Sequence, residues 1–137
     1  MYRLKYIIAI DFDGTIVTHE YPNVGNPVPL AKEVIQMLIS NGHKCFLWTM
    51  RDKQTLQDAI QYCKDNNIDM SGYNYSSAQF SDSPKQYAHV YIDDTALGCP
   101  RKYSNLSKRW YVDWYKVAEY LTNIGAITEQ QFASLKV

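Results

Sequence analysis

Two aspartates two residues apart, Asp11 and Asp13, follow the apolar run Ile7-Ile8-Ala9-Ile10 and are closed by Gly14-Thr15. Residues two apart in extended chain share a face, so both carboxylates can look into one crevice while Phe12 turns into the core. Gly14 tolerates the positive φ that breaks a strand, and the amides around such a turn form an anion-binding concavity. A second acidic pair, Asp93-Asp94, follows Val90-Tyr91-Ile92, and Thr49 follows Phe46-Leu47-Trp48. Carboxylates gathered at one point raise one another's pKa unless a cation is present. Mg²⁺ suits, because it takes a few carboxylates together with waters and substrate phosphate oxygens. Phosphoryl transfer also needs a nucleophile, an acid/base and positive charge on the phosphoryl oxygens. Thr49 offers a hydroxyl donor for such an oxygen, and Lys85, after the Pro84 break, offers an ammonium.

The elements that must position these groups are legible from periodicity. Lys5 to Ile10 reads as a buried strand, and Lys44 to Thr49 as a second. Tyr21 to Pro29 holds three prolines and a glycine and reads as a loop or short hairpin flap. From Leu30, the positions Ala31, Val34, Ile35, Leu38 and Ile39 keep helical spacing up to an Asn41-Gly42 stop. Asp52 caps a second helix through Leu56, Ala59, Ile60 and Cys63 to about Asn66. Tyr73 to Ser76 reads as a short third strand and Val90 to Ile92 as a fourth, and the chain is loop-like from Gly98 to Val112. Asp113 caps a helix through Trp114, Val117, Ala118 and Leu121, stopped at Gly125. Thr128 to Leu135 forms a last short helix with a Thr128/Gln131 capping box. Strands alternating with helices predict an α/β fold: a three-layer αβα Rossmann-like sandwich with a central parallel sheet. Such sheets place their sites at the carboxyl ends of strands, where Asp11, Thr49 and Asp93-Asp94 fall.

With 137 residues and no visible linker, the chain is expected to form one domain, a core over 1–122 with a C-terminal tail over 123–137. Fourteen basic residues balance fourteen acidic ones, so bulk charge points to neither nucleic acid nor an anionic membrane, although a local basic patch stays open. Cys45, Cys63 and Cys99 are too few and too scattered for a disulfide framework or a CxxC metal site and read as reduced thiols. The four-residue apolar run after Met1–Tyr6 is too short for a signal peptide or a membrane span, so the expected location is the cytoplasm.

The arrangement resembles the haloacid dehalogenase (HAD) superfamily of phosphohydrolases. The first signature matches as Asp11-Phe12-Asp13-Gly14-Thr15, the second as Thr49, the third as Lys85 and the fourth as Asp93-Asp94, all in the superfamily's order. The resemblance implies that Asp11 attacks phosphorus to give an aspartyl-phosphate, and that Asp13 protonates the leaving oxygen and then activates water. It implies that Thr49 and Lys85 hold the phosphoryl oxygens. It also implies Mg²⁺ between Asp11, the main-chain carbonyl of Asp13, and the Asp93-Asp94 pair, with either member touching the metal. Asp13 argues for phosphate esters over carbon–halogen bonds, since dehalogenating members generally lack it. Thirty-five residues separate Asp13 from Thr49, and thirty-five separate Thr49 from Lys85. Neither interval leaves room for a cap domain, so the chain looks HAD-like and capless. An open crevice admits a phosphate on a small molecule or a macromolecule, or relies on a second copy for closure.

The resemblance thus implies a Mg²⁺-dependent phosphomonoesterase, with a nucleotide or polynucleotide end-phosphatase as its narrower form. A phospho-accepting module is the reading from another class, although such modules phosphorylate an Asp at a middle strand, where this chain has Thr49. A catalytically idle binding protein is a third. Arg51, two residues after Thr49, reads equally as a phosphate clamp or a solvated arginine. His19, in the flap, reads as a residue facing the substrate or, more commonly, as a plain loop histidine, and His43 and His89 read as structural. The aromatic series Tyr103, Trp110, Tyr111, Trp114, Tyr115 and Tyr120 stacks nucleobases beside Lys102, Lys108 and Arg109, or covers a sheet edge or subunit contact; the second is the commoner role.

Overall fold

The computed structural model describes residues 4–136, so Met1, Tyr2, Arg3 and Val137 lie outside the described residues. Its centre is a three-stranded parallel sheet ordered β2-β1-β3, with β1 at Ile7–Ile10, β2 at Lys44–Leu47 and β3 at Val90–Ile92. β1 takes the middle because its side chains suit burial on both faces: Ile8, Ala9 and Ile10 are all buried. Both flanking strands end level with it, Ile10 lying opposite Leu47 on one side and Ile92 on the other.

The first two strands are shorter than the expected Lys5–Ile10 and Lys44–Thr49, β1 beginning at Ile7 and β2 ending at Leu47. The expected strand at Tyr73–Ser76 is reduced to one parallel bridge between Leu47 and Tyr73. The chain from Ser71 to Asn74 still runs beside β2, held by Ser71 N–H to Cys45 O at 2.7 Å and Asn74 N–H to Leu47 O at 2.7 Å.

Helix α1, Ala31–Ser40, lays Ala31, Val34, Ile35 and Leu38 against the core, and Gly42 follows its end at φ 92°. Each such buried Ile, Leu or Val is worth about 1.5–3 kcal/mol relative to exposure. Helix α2, Lys53–Asp65, starts after Asp52 as expected and buries Ala59 and Cys63. Residues 16–28 form the flap as a narrow hairpin-like excursion, with Val28 N–H to Ile16 O at 2.9 Å and Thr18 N–H to Asn26 O at 2.8 Å. It closes at Gly25, where a Cβ would lie 2.0 Å from the Thr18 carbonyl oxygen.

The stretch expected to be loop-like up to Val112 is instead an antiparallel ribbon, β4 (Arg101–Ser104) paired with β5 (Arg109–Val112). Its signal was hidden because both faces of the ribbon are largely exposed, so no alternation of apolar and polar residues marks it. Helix α3, Trp114–Asn123, follows directly, with the Asp113 carboxylate accepting Lys116 N–H at 3.3 Å. Helix α4, Glu129–Ala133, carries the expected capping box, Gln131 N–H reaching Thr128 Oγ1 at 2.9 Å.

The segment read as a tail packs onto the core as far as it is described. Ala126 and Ile127 are buried, and Asn41 and Gln131 exchange amide hydrogen bonds at 2.8 and 2.9 Å. His43 is structural, as expected: its Nδ1 accepts Tyr6 N–H at 3.0 Å and its Nε2 reaches Ala126 O at 2.7 Å. His89 Nδ1 likewise accepts Ile7 N–H at 2.9 Å. No helix among the described residues is long and apolar enough to cross a membrane.

The C-terminal elements reach back to the first acidic loop. Val112 N–H donates to Gly14 O at 2.9 Å, and the buried Trp114 indole donates to Thr15 O at 2.7 Å. Replacing Trp114 with Phe leaves that buried carbonyl unpaired, at a cost of about 1–3 kcal/mol. Urea unfolding should show the loss, and an unchanged midpoint would mean that the indole hydrogen bond does not anchor the loop.

Candidate active site

Since the three strands stop level, the residues just past them arrive side by side. Asp11 N–H donates to Ile92 O at 3.0 Å and Trp48 N–H to Ile10 O at 2.8 Å, so the backbone is fastened on both sides up to the first carboxylate. Asp11, Asp93 and Asp94 each offer an oxygen within 4.8 Å of the others. The buried Thr15 hydroxyl lies among them, 3.5 Å from Asp11 Oδ2 and 3.4 Å from Asp94 Oδ1, while accepting Asp94 N–H at 3.3 Å. Its single proton serves one carboxylate at a time. Asp93 is oriented by Thr95, whose N–H and hydroxyl reach Asp93 Oδ1 at 2.9 and 2.8 Å.

Gly14 makes this approach possible. It has φ 76°, and a Cβ there would lie 2.5 Å from Asp94 Oδ2. Any side chain would meet both the left-handed backbone penalty and the Asp94 carboxylate.

The electrostatics follow from the crowding. Burial is the largest influence on Asp11, the negative charge of Asp93 comes next and the hydrogen bond with Asp94 adds to them, together pushing its carboxyl up to about 9. Asp94 is also raised, chiefly by burial. These are hard oxygen donors that cannot all ionise together without a cation, which is the donor set a divalent ion of the Mg²⁺ type takes.

Asp13 is treated differently. Its carboxylate turns to Arg51, which donates from Nε to Oδ2 and from Nη2 to Oδ1, both at 2.8 Å. The remaining Arg51 donors go to the carbonyls of Asn23 at 2.8 Å, Thr55 at 3.1 Å and Pro22 at 3.2 Å. All five guanidinium N–H groups are therefore used within the chain. The group also lies 5.0 Å from the Phe12 ring centroid and 5.2 Å from that of Tyr21. This corrects both sequence readings of Arg51: it is buried, so it is not solvated, and it has no spare donor with which to clamp a phosphate. Neither was foreseeable, because the flap that supplies two of its partners lies about thirty residues away in sequence.

Thr49 sits at the same strand ends. Its Oγ1 accepts Arg51 N–H at 3.1 Å, leaving the hydroxyl proton to donate, and its own N–H is held by Asn74 Oδ1 at 2.8 Å. Asn74, which sequence reasoning missed, also donates to Arg51 O at 3.3 Å from a left-handed backbone at φ 54°. The sequence signal was slight: an asparagine, the residue besides glycine most tolerant of that conformation. Lys85 is exposed, with its ammonium 5.4 Å from the Tyr91 ring centroid. Among the described residues no hydrogen bond or ion pair joins it to the acidic cluster, so the structure brings Asp11, Asp93, Asp94 and Thr15 together without it.

Neither a family model nor a curated protein matches the chain. The chain is similar to a solved structure, the conserved protein coded by locus from Bacteroides thetaiotaomicron. The two share 28% identity over 96% of this chain and 99% of that one, with a TM-score of 0.72. The likeness supports an α/β fold built on a small parallel sheet with helices.

Two outcomes follow from this geometry. Replacing Arg51 with Met removes the charge together with the bidentate fork, leaving Asp13 and three carbonyls without their partner. A destabilisation of about 3–5 kcal/mol is expected for breaking a buried pair, read by denaturant unfolding. The raised carboxyl of Asp11 makes the metal-free fold bind a proton that the unfolded chain releases near 3.8. That contribution is complete below 3.8 and is lost as pH rises through about 9, so the metal-free thermal midpoint should fall across this window. The slope should flatten in Asp11→Asn, and a profile identical in both proteins would contradict the assignment.

Proposed function

We propose that the protein is a Mg²⁺-dependent phosphatase that hydrolyses a phosphomonoester through an aspartyl-phosphate on Asp11. The observation that carries this reading is the meeting of Asp11, Asp93 and Asp94 at level strand ends, with Asp13 fixed beside them on Arg51. We further propose that the sheet and its helices are the core of a capless, HAD-like three-layer αβα sandwich. The hairpin-like flap and α1 fill the interval between Asp13 and Thr49, where a cap would otherwise be inserted.

In this reading Asp11, Asp93, Asp94 and the Asp13 main-chain carbonyl would hold Mg²⁺, which when bound neutralises the carboxylates and draws charge from the phosphoryl oxygens. An Asp11 oxygen forms a bond to phosphorus as the bond from phosphorus to the ester oxygen breaks. Asp13 enters this step carrying a proton on a lone pair not given to Arg51, and the departing oxygen takes that proton. Asp13, now a carboxylate, removes a proton from water, whose oxygen attacks phosphorus and releases Asp11 and inorganic phosphate. Arg51 orients Asp13 throughout, and each Asp13 oxygen keeps a lone pair beyond the one given to Arg51. The Thr49 hydroxyl is available to a phosphoryl oxygen because its own acceptor role is filled by Arg51 N–H. In this account Lys85, which rests against the Tyr91 ring, would have to leave that ring to meet the phosphoryl oxygens.

Incubation with a chromogenic phosphomonoester should give turnover that a chelator removes and Mg²⁺ restores. Asp11→Asn should fall to background, while Asp93→Asn and Asp94→Asn should need more Mg²⁺ for half-maximal rate. Undiminished turnover in Asp11→Asn, or indifference to the chelator, would overturn the mechanism.

A further inference from the structure

The charge balance of the whole chain conceals a local imbalance. Residues 101–112 hold four cations, Arg101, Lys102, Lys108 and Arg109, and no acid, so the rest of the chain has ten basic residues (14 less 4) against all fourteen acidic ones. All four are exposed on the β4–β5 ribbon. The ion pairs among the described residues are Arg51–Asp13 and Lys116–Glu119, so none of the four is neutralised there.

The same ribbon displays aromatic surface. Tyr103 and Trp110 face each other across the strands with ring centroids 5.4 Å apart at 75°, and each is 48% exposed. The Arg101 guanidinium lies 5.0 Å from the Trp110 centroid on the same face, extending the platform with a second flat group. Opposite charges or buried partners would be expected if these rings only covered a sheet edge. Instead the structure sorts the aromatic series: Trp114 is core, Tyr115 packs on Phe132 at 5.0 Å, and Tyr103 with Trp110 stays open among cations.

The ribbon also adjoins the site. Its last residue, Val112, donates to Gly14 O, and Arg109 is three residues back along the strand, roughly 10 Å at the usual strand rise.

We propose that the β4–β5 ribbon is a binding arm for single-stranded nucleic acid, with cations tracking the phosphates and Tyr103 and Trp110 stacking bases. It would present a terminal phosphate to the acidic cluster. Only this last step rests on the phosphatase reading; the binding surface stands on the ribbon's own charge and rings. Exposed rings flanked by unneutralised cations fit a strand with a phosphate at each step and a π-face on every base.

The test is fluorescence anisotropy of the full chain with a labelled single strand of about twelve nucleotides lacking a terminal phosphate. Affinity should fall with salt at a log–log slope of roughly −2 to −3, the value for three or four phosphates on a single strand. Tyr103→Ala with Trp110→Ala should weaken binding roughly tenfold or more, while Trp110→Phe retains it. Lys102→Gln with Arg109→Gln should lower the salt slope, and Lys64→Gln on α2 should not. Circular dichroism and thermal midpoints establish that each variant is folded.

No binding at low salt, binding indifferent to the two rings, or equal binding of polyglutamate would overturn the proposal. Turnover of the chromogenic ester by the unaltered protein is measured in parallel. Turnover without oligonucleotide binding sinks the arm alone. Oligonucleotide binding without turnover of either the ester or a phosphorylated strand sinks the phosphatase reading and leaves the arm in place.

Discussion

Placing the Asp11 carboxyl in a half-buried position against two others is unfavourable by itself, and much of the surrounding structure serves to hold it there. A carboxylate drawn out of water and set beside like charges tends to swing away or to keep its proton. Backbone hydrogen bonds on both sides of the strand end prevent the first, since Asp11 is tied to β3 and the residue before it to the chain after β2. The absence of a Cβ at Gly14 lets Asp94 close in, and Thr15 links the two carboxylates through one hydroxyl.

Arg51 is the counterpart to that crowding. Its charge is balanced by Asp13 and its five donors are spent on groups from the acidic loop, the flap and the start of α2. A planar, permanently charged fork can do this and an ammonium cannot. The two neighbouring aspartates of the first loop therefore have separate fates, Asp11 facing other acids and Asp13 facing a saturated cation. Separated environments of this kind let two carboxyl groups take different chemical roles at one site.

The C-terminal third has a structural duty as well as an exposed surface. Trp114 and Val112 hold the carbonyls of the acidic loop, so the start of α3 and the end of the ribbon brace that loop. The outward faces of the ribbon are free of that duty, which is why cations and rings can accumulate there without loss of packing.

Periodicity and local chemistry determined the positions of α1, α2, α3 and the capping box of α4, because the spacing of apolar residues and the end signals are properties of short segments. They also marked Asp11, Thr49 and Asp93-Asp94 as interruptions after apolar runs, which is how the candidate site was legible at all. The tertiary structure alone decided the rest. It set the strand order and level ends that bring distant acids together, the burial of Arg51 under a flap far away in sequence, and the part taken by Asn74. It also made an antiparallel ribbon from a stretch without alternation. Each depends on contacts between segments far apart along the chain, and a local pattern carries no record of what will be packed against it.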